Sequence, residues 1–474
     1  MTRTGRVLTL MLVIAGSLVA GGNWTQSRVW DFGNTVYRMR IGDCRSDGLQ
    51  RMYCGNRDGS VNEISWESGR WVARQIGRVP DIAYDIAIAA GRNDCVSRIY
   101  VACGDGHMHE FSYSGGSWTS VDMGGMSGAD MDEVAFGAGR NDGVRRGYVT
   151  LNNGHIFEFS WNSGAWSYLD LGRIATQMVD IAVGRTGHGR KTHVYASSQA
   201  GGIYELTWDN GWTSVLIDQL AGHDAAWGID VGRASGTGES VVDGRAEPGN
   251  PGSCEDLDLY VTAWCEPNVW RYHWAGGAWQ KLSIGQVPNY PYGADLTLGK
   301  GRNDCAVRVY ESNNDGHVYE FSCTRGEWSM VDLGSSGSSN LTGVIVGPGR
   351  DDGVQRVYLG CPNGRVLEFT WSGTEDALTT AGATADSKPG KDGLSARPNP
   401  FQAQVAFSLT PGFTGQADIK VCDAGGRTVR RLSSSGLIVW DGSDDLGHVL
   451  PPGVYFARPA GSPASAAVRL VKTE

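Results

Sequence analysis

The segment Gly139-Arg140-Asn141-Asp142-Gly143 is one copy of a phrase that recurs along this 474-residue chain. Related copies occupy residues 91–95, 301–305 and 349–353. Each copy is followed by an Arg-x-Tyr step, a turn containing Asp-Gly or Asn-Gly, an aromatic-rich run and a tryptophan. A repeat of this length specifies the architecture of a chain before any other feature does.

The spacing of the repeat is regular. Most intervals between repeated arginines are 45 or 48 residues, and one is 69, for the series Arg92, Arg140, Arg185, Arg233, Arg302 and Arg350. The long interval contains an insertion rich in Gly, Ser and Pro at residues 235–255. A degenerate first copy begins at Gly42, which brings the predicted number of units to seven.

Within one unit the apolar residues alternate with period two. Four short runs rich in β-branched and aromatic residues are separated by Gly-containing turns, a pattern that predicts four antiparallel strands. Four strands in 45–48 residues match a β-propeller blade, which usually has roughly 40–50 residues. The sequence therefore predicts an all-β chain with a seven-bladed β-propeller at residues 23–373.

The last unit lacks a fourth strand. Other units end in a tryptophan followed by an Asp-Met-Gly or Asp-Leu-Gly strand, whereas the last one stops near Trp371. The N-terminal segment supplies Trp24 and the sequence Trp30-Asp31-Phe32-Gly33. We expect this segment to close the ring as the outer strand of blade seven, because it would cover two exposed strand edges.

Residues 1–22 have the pattern of a secretory signal peptide. Arg3 and Arg6 precede an apolar run that ends in small residues. The alternative, a membrane anchor, needs about 20 apolar residues, and this run is shorter. The prediction is a secreted or cell-surface protein without membrane insertion.

A linker rich in Thr, Ala, Gly and Asp is predicted at residues 374–396. Beyond it stand Trp440-Asp441-Gly442 and then Pro452-Gly453-Val454-Tyr455-Phe456. On these residues, segment 397–474 resembles the immunoglobulin-like domain of flagellar hook-capping proteins and is similar to the C-terminal sorting domain of type IX secretion. The resemblance implies a small β-sandwich of a bacterial exported protein, acting either as a spacer or as a module for secretion or surface attachment. Trp440 and Tyr455 are the expected core aromatics.

Charge and cysteines narrow the function further. The net charge is −10 and the basic residues are dispersed, which argues against nucleic acid as a partner. Because hairpin pairing would bring Cys305 and Cys323 together, they are the predicted disulfide. No Cys-x-x-Cys or Cys/His spacing of a zinc site was identified, and no cofactor or metal is expected.

The repeated Arg and Asp residues are interpreted as structural. An Arg that begins the second strand can bond the carboxylate of the preceding turn, as in Asp142 and Arg146. Calcium loops of integrin type are the alternative, but the run of alternating carboxylates is absent. The tryptophans fall in two repeat columns and are expected in the core between blades. The histidines His107, His155 and His317 form another repeat column.

Recognition is expected where the repeat breaks. The insertion and the off-column Trp264 and Trp270 are predicted on opposite faces of the ring, and the tryptophan side is favoured because Glu266 places a carboxylate beside them. The predicted function is a non-catalytic binding or scaffold protein for an unknown protein or glycan. A carbohydrate-binding, lectin-like propeller is the alternative, and a glycan hydrolase or lyase is a third hypothesis without a recognisable motif.

Overall fold

The computed structural model describes residues 23–187, 189, 191–220, 226–234, 257–264, 266–288, 293–304, 306–324, 326–372, 394–397, 405–409, 417–423, 427–434, 438–445, 448–459 and 468–472. The chain divides into two compact units, Met1–Asp376 and Ala377–Glu474. Every regular element in the described residues is a strand, and none is a helix capable of crossing a bilayer. The predicted signal peptide (1–22), the insertion (235–255) and nearly all of the predicted linker (374–396) lie outside the described residues.

The described part of the first unit forms seven four-stranded antiparallel sheets. Blades one to three consist of β2 (Val36–Gly42), β3 (Arg51–Asn56), β4 (Ser60–Glu67), β5 (Arg70–Arg78); β6 (Ala83–Ala89), β7 (Arg98–Cys103), β8 (His107–Ser114), β9 (Ser117–Gly125); and β10 (Met131–Gly137), β11 (Arg146–Leu151), β12 (His155–Asn162), β13 (Ala165–Arg173). Blades four and five consist of β14 (Met178–Arg185), β15 (Thr192–Ser198), β16 (Gly202–Trp208), β17 (Trp212–Gln219); and β18 (Ala226–Gly232), β19 (Asp258–Ala263), β20 (Asn268–Ala275), β21 (Ala278–Gln286).

Blade six repeats this order, and blade seven takes its outer strand from the N-terminal end. Their strands are β22 (Gly293–Gly299), β23 (Arg308–Asn313), β24 (His317–Thr324), β25 (Glu327–Ser335); and β26 (Gly343–Gly347), β27 (Arg356–Gly360), β28 (Arg365–Trp371), β1 (Trp24–Asp31). The first strand of each sheet contacts the first strand of the next, and β26 contacts β2. The sheets therefore surround a common axis as the blades of a β-propeller.

Strand β1 completes the seventh sheet, as the sequence predicted. It pairs antiparallel with β28, from Trp24 opposite Trp371 to Asp31 opposite Arg365. A bulge between Arg28 and Trp30 interrupts the register. Because β1 belongs to the sheet of β26–β28, the two ends of this unit are held together by backbone hydrogen bonds.

Burial follows position within a blade. The second strand β7 is buried at every residue, whereas the outer strand β9 is mostly exposed. The tight turns between second and third strands need glycine where the chain has positive φ. Gly154 has φ +93°, and a Cβ there would lie 2.0 Å from the Ala175 carbonyl oxygen. No residue with a side chain fits that position.

The repeated tryptophans pack between neighbouring blades as predicted, but they are half-buried rather than fully buried. The blade interfaces are filled mainly by tyrosine, phenylalanine and aliphatic side chains, such as Tyr100 and Phe157. The repeated tryptophans lie at the hairpin between third and fourth strands, and the fourth-strand one meets a buried tyrosine of the neighbouring blade edge-on, as Trp166 meets Tyr100 at 5.7 Å between ring centroids. There they pair edge to face, as Trp161 and Trp166 do at 5.3 Å between ring centroids. These tryptophans are not fully buried because the hairpin between the third and fourth strands lies near the outer rim of the propeller.

The second unit contains two described sheets. The strands are β29 (Leu394–Arg397), β30 (Val405–Leu409), β33 (Ile438–Trp440) in one, and β31 (Ala417–Asp423), β32 (Thr428–Ser434), β34 (Gly453–Pro459), β35 (Val468–Lys472) in the other. One apolar core draws on both sheets. The expected core aromatics are confirmed, since Trp440 and Tyr455 are buried with ring centroids 5.1 Å apart. Strand β29 begins at Leu394, so the predicted boundary at residue 397 is three residues late.

Candidate functional site

The Arg–Asp pair predicted at the first turn of the repeat is confirmed as a structural ion pair in five blades. Arg98 Nη2 lies 2.7 Å from Asp94 Oδ2 in blade two. Hydrogen bonds from Arg98 hold the pKa of Asp94 at about 2, below its ordinary value. Equivalent pairs are Arg51–Asp47, Arg146–Asp142, Arg308–Asp304 and Arg356–Asp352.

The repeated Arg of the opening phrase has a partner that the sequence analysis missed. Arg92 Nη2 lies 2.5 Å from Glu110 Oε1, and Glu110 is fully buried on β8. The Arg92 guanidinium also stacks on the Trp161 ring of the next blade, 4.1 Å from its centroid. We call this arrangement the Arg–Glu–Trp clamp; its other members are Arg140–Glu158–Trp208, Arg302–Glu320–Trp371 and Arg350–Glu368–Trp66.

The clamp joins each participating blade to the next. In blade one, Arg45 bonds Glu63, and Tyr113 takes the place of the tryptophan at 4.7 Å. The stacking of Arg350 on Trp66 joins blade seven to blade one. These repeated charges are therefore committed to structure and are not exposed for a ligand.

Blades four and five depart from this pattern. The repeat spacing places Arg185 and Arg233 in one series with Arg92, and the structure shows that this alignment is wrong. Arg185 is the last residue of β14, and Arg233 directly follows β18, both about two positions before the clamp site. In blade four His193 Nδ1 lies 3.2 Å from Glu205 Oε1, where other blades have an Arg–Glu pair.

Blade five exchanges the charges. Asp258 occupies the position of Arg98 on the second strand, and Arg271 occupies that of Glu110 on the third. Arg271 Nε lies 2.6 Å from Asp258 Oδ2, and His273 Nδ1 lies 2.7 Å from Asp258 Oδ1. Asp258 is buried, so the ion pair replaces the regular one with opposite signs.

The predicted site residues Glu266 and Trp270 contact each other. The Trp270 indole N–H donates to Glu266 Oε2 at 2.5 Å. Lys281 Nζ on the outer strand lies 4.1 Å from the Trp270 ring centroid and 2.9 Å from Asp218 Oδ2. Both Glu266 and Trp270 are half-buried, and Trp270 pairs with Ser283 of β21.

Trp264 lies in a different environment. It directly follows β19 and is half-buried against Trp227 of the inner strand β18, with ring centroids 5.6 Å apart. The predicted site therefore has two parts. Trp264 contacts the inner strand, whereas Trp270 contacts the outer strand and bonds Glu266.

A charged cluster on the propeller axis was not foreseen. The buried Arg38 on β2 reaches across the ring to blades three and six. Its Nε lies 2.7 Å from Glu133 Oε1, and its Nη1 lies 2.9 Å from Asp295 Oδ2. Nη1 also donates to the Thr342 carbonyl oxygen of blade seven. A cavity of about 170 Å³ adjoins this cluster and is lined by first-strand residues such as Arg40 and Asp230.

The axial carboxylates also bond neighbouring blades. Asp85, Asp180 and Asp295 each accept a backbone N–H from the first strand of the next blade, at 2.8–2.9 Å. Burial raises the pKa of Asp180 to about 7 and raises that of Glu133 far above its ordinary value, although Arg38 opposes both shifts. These axial carboxylates therefore stabilise the contacts between neighbouring blades.

Of the remaining sequence predictions, the histidine column is confirmed and the disulfide stays untested. The histidine column is confirmed as repeated structure, since the Nδ1 atoms of His107, His155 and His317 each lie about 3 Å from a fourth-strand aspartate. Cys323 is half-buried on β24 opposite Trp328. Its proposed partner Cys305 lies outside the described residues, so the disulfide stays a prediction.

No protein-family model and no curated relative matches the sequence. Among solved structures, the chain is similar to the WD40 β-propeller domain of Doa1, with 11% identity and a TM-score of 0.47 over 74% of this chain and 97% of that one. It is also similar to BBS1N in its complex with ARL6DN, with 14% identity and a TM-score of 0.49 over 73% of this chain and 95% of that one. With TM-scores below 0.5, these similarities add nothing to the assignment of the fold, which rests on the sheets themselves.

Proposed function

We propose that the protein is a secreted, non-catalytic scaffold that binds a protein partner through Trp227 and Trp264 of blade five. The supporting observation is that this aromatic pair is absent from the equivalent positions of other blades. Trp227 replaces Tyr84, Asp132, Val179 and Ala294, and Trp264 replaces Gly104, Asn152, Gln199 and Asn314. The repeated charged groups, in contrast, bond within the fold.

Two half-buried indoles suit a protein ligand. Tryptophan is enriched among residues that dominate binding energy in protein interfaces. Glu266 and Trp270 extend the proposed surface toward the outer strand and provide a carboxylate. In this proposal segment 397–474 is an immunoglobulin-like module for sorting or attachment, and residues 1–22 direct export.

The experiment compares two positions for a photo-crosslinking amino acid in the full chain, one at Trp264 and one at Tyr168. Tyr168 is 47% exposed on the outer strand of blade three and serves as the control. Incubation with culture supernatant is expected to give a protein crosslink from position 264 and none from position 168. Crosslinks of equal yield from both positions, or none from either, would contradict the proposal.

The lectin-like alternative has its own outcome. A glycan array probed with the wild-type chain and Trp264→Ala would show a glycan signal that the substitution lowers roughly thirtyfold or more, by the loss of roughly 2 kcal/mol or more at a binding hot spot. Such a result would replace a protein partner with a sugar at the same surface.

A hydrolase needs two carboxyl groups that face a substrate. The axial Glu133 and Asp295 converge, but both are bonded to Arg38. Asp295 also accepts the Val344 backbone N–H at 2.9 Å. These bonds favour the structural role, and the non-catalytic proposal stands on them.

A further inference from the structure

The turn between β7 and β8 of blade two brings together a thiol, a carboxylate and an imidazole. One potential ligand atom from each of Cys103, Asp105 and His109 lies within 4.8 Å of the others. Cys103 is fully buried, the His109 side chain is 9% exposed, and the Asp105 side chain is 22% exposed. Sulfur, nitrogen and carboxylate oxygen are the ligands that Zn²⁺ takes in proteins.

This set of side chains is particular to blade two. In blade one, Asn56 stands at the position of Cys103 and Asn62 at the position of His109. Asn62 Nδ2 donates a hydrogen bond to Asn56 Oδ1 at 2.8 Å. The turn therefore forms without a thiol or an imidazole. The pairs at these positions in blades three to seven are Leu151 and Phe157, Ser198 and Tyr204, Ala263 and Trp270, Asn313 and Tyr319, and Cys361 and Leu367.

The backbone of the turn determines where the three residues stand relative to one another. Gly106 has φ +83°, and a Cβ there would lie 2.1 Å from the Met126 carbonyl oxygen, so the turn accepts only glycine. The His107 backbone N–H donates to Asp105 Oδ1 at 2.9 Å. The other oxygen, Asp105 Oδ2, faces His109 Nε2 at 3.1 Å. The carboxylate and the imidazole thus already face each other across the turn.

We propose that Cys103, Asp105 and His109 bind Zn²⁺, with a water molecule as the fourth ligand. This inference goes beyond the proposed binding function and departs from the expectation that the chain has no metal site. On binding, the S–H bond of Cys103 breaks, a sulfur–zinc bond forms and the proton passes to solvent. The metal takes the place of the hydrogen bond between His109 and Asp105.

The distances suit this proposal. Zinc bonds of about 2.0–2.3 Å in a tetrahedron place neighbouring ligand atoms about 3.5 Å apart. Atoms that lie within 4.8 Å of one another need to approach by roughly 1.3 Å at most. Rotation of the Asp105 and His109 side chains supplies this movement without a change in the turn. The partial exposure of Asp105 provides a route for the metal and its water.

The test uses Co²⁺ as a spectroscopic probe on the full chain, after removal of metals with a chelator. We expect one equivalent of Co²⁺ to produce a thiolate-to-cobalt charge-transfer band, and Zn²⁺ to abolish it by displacement. The double variant Cys103→Asn/His109→Asn installs the amide pair of blade one and should lose the band while keeping the wild-type melting temperature. His109→Phe, which installs the residue of blade three, is the second variant and should lose the band as well.

Cys361→Ser is the matched control. Cys361 has the strand position of Cys103 in blade seven, is equally buried, and has Asn363 and Leu367 where the aspartate and histidine would be. This variant should keep the full band. Absence of a thiolate band in the wild type, its persistence in both blade-two variants, or its loss in Cys361→Ser would overturn the proposal.

Discussion

Blade two and blade five both place an ion pair between their second and third strands, with the signs exchanged. In blade two Arg98 lies on β7 and Glu110 on β8, with Arg98 Nε 3.9 Å from Glu110 Oε1. In blade five Asp258 lies on β19 and Arg271 on β20, with Arg271 Nε 2.6 Å from Asp258 Oδ2. Opposite charges therefore occupy these two positions in both blades, in reversed order.

The exchange has a consequence for the neighbouring positions. Blade two carries the Arg–Glu–Trp clamp, in which Arg92 and Glu110 contact blade three. In the sequence of blade five, Ser235 stands where the regular repeats have the clamp arginine. His273 Nδ1 lies 2.7 Å from Asp258 Oδ1 in this blade. Blade five, which departs from the clamp pattern as blade four does, also carries Trp227 and Trp264. Regular blades thus maintain the ring, and blade five is the one in which recognition is proposed.

The largest loss of stability is expected when Arg38, which bonds the carboxylates on the propeller axis, is replaced. Arg38→Met leaves Glu133 and Asp295 without their shared guanidinium. We expect a loss of roughly 3–5 kcal/mol in the free energy of unfolding, because breaking a buried ion pair leaves uncompensated charge. Urea unfolding measures this loss. Arg28→Met is the control, since that side chain is 62% exposed and should change stability little. Equal stability of both variants would disprove the axial role.

A smaller loss is expected for one clamp. Glu110→Ala removes the partner of Arg92 and the acceptor of the Trp166 indole N–H, which lies 3.2 Å away. We expect a loss of about 3 kcal/mol, since buried partners remain unsatisfied. Glu67→Ala removes an exposed ion pair with Arg74 and should cost about 0–1 kcal/mol. If the two variants unfold at the same urea concentration, the clamp is not a stabilising feature.

The pH dependence of stability separates the axis from the turns. Burial raises the pKa of Asp180 to about 7, so the folded chain binds more protons there than the unfolded chain does above pH 4. That contribution to stability is present at low pH and is lost as pH rises toward 7. Asp180→Asn should abolish this loss, which is roughly 2 kcal/mol between pH 5 and pH 7. Parallel stability profiles for the variant and the wild type would contradict the assignment.

The turn carboxylate Asp94 titrates in the opposite sense. Arg98 holds its pKa at about 2, so its contribution to stability is present above pH 4 and is lost as the pH falls toward 2. The two profiles together identify which group is responsible for a change in stability.

The smallest change in stability is expected at the proposed recognition surface. Trp264→Ala removes a half-buried ring that contacts Trp227, and we expect a cost of about 1 kcal/mol or less in the free energy of unfolding. Thermal unfolding checks this value. A loss as large as that of Glu110→Ala would make Trp264 a core residue and remove the basis for placing recognition there.

Much of the fold was predictable because it depends on local chemistry that repeats. Alternating apolar residues and glycine turns indicate four strands, and Asp94 lies four residues before Arg98, within reach across one turn. The partner of Arg92 was missed, although a glutamate follows the clamp arginine by 18 residues in every regular blade. A search for charge columns would have found Glu110.

Other features could not be read from the sequence. Arg38 pairs with Glu133 and Asp295, which are distant in the chain and meet only after ring closure. Arg185 and Arg233 were misaligned because blades four and five have an arginine two positions before the position of the clamp arginine. The sequence indicated that Trp264 and Trp270 are irregular, but their separation depends on which neighbouring strand each side chain contacts.

The most direct test of the exchanged ion pair is a double-mutant cycle in each of the two blades, measured by urea unfolding. The first cycle combines Arg98→Ala with Glu110→Ala, and the second combines Asp258→Ala with Arg271→Ala. The account predicts coupling energies of about 1–3 kcal/mol of the same sign in both blades. A coupling energy near zero in blade five, beside a large one in blade two, would contradict the claim that reversed charges replace the regular pair.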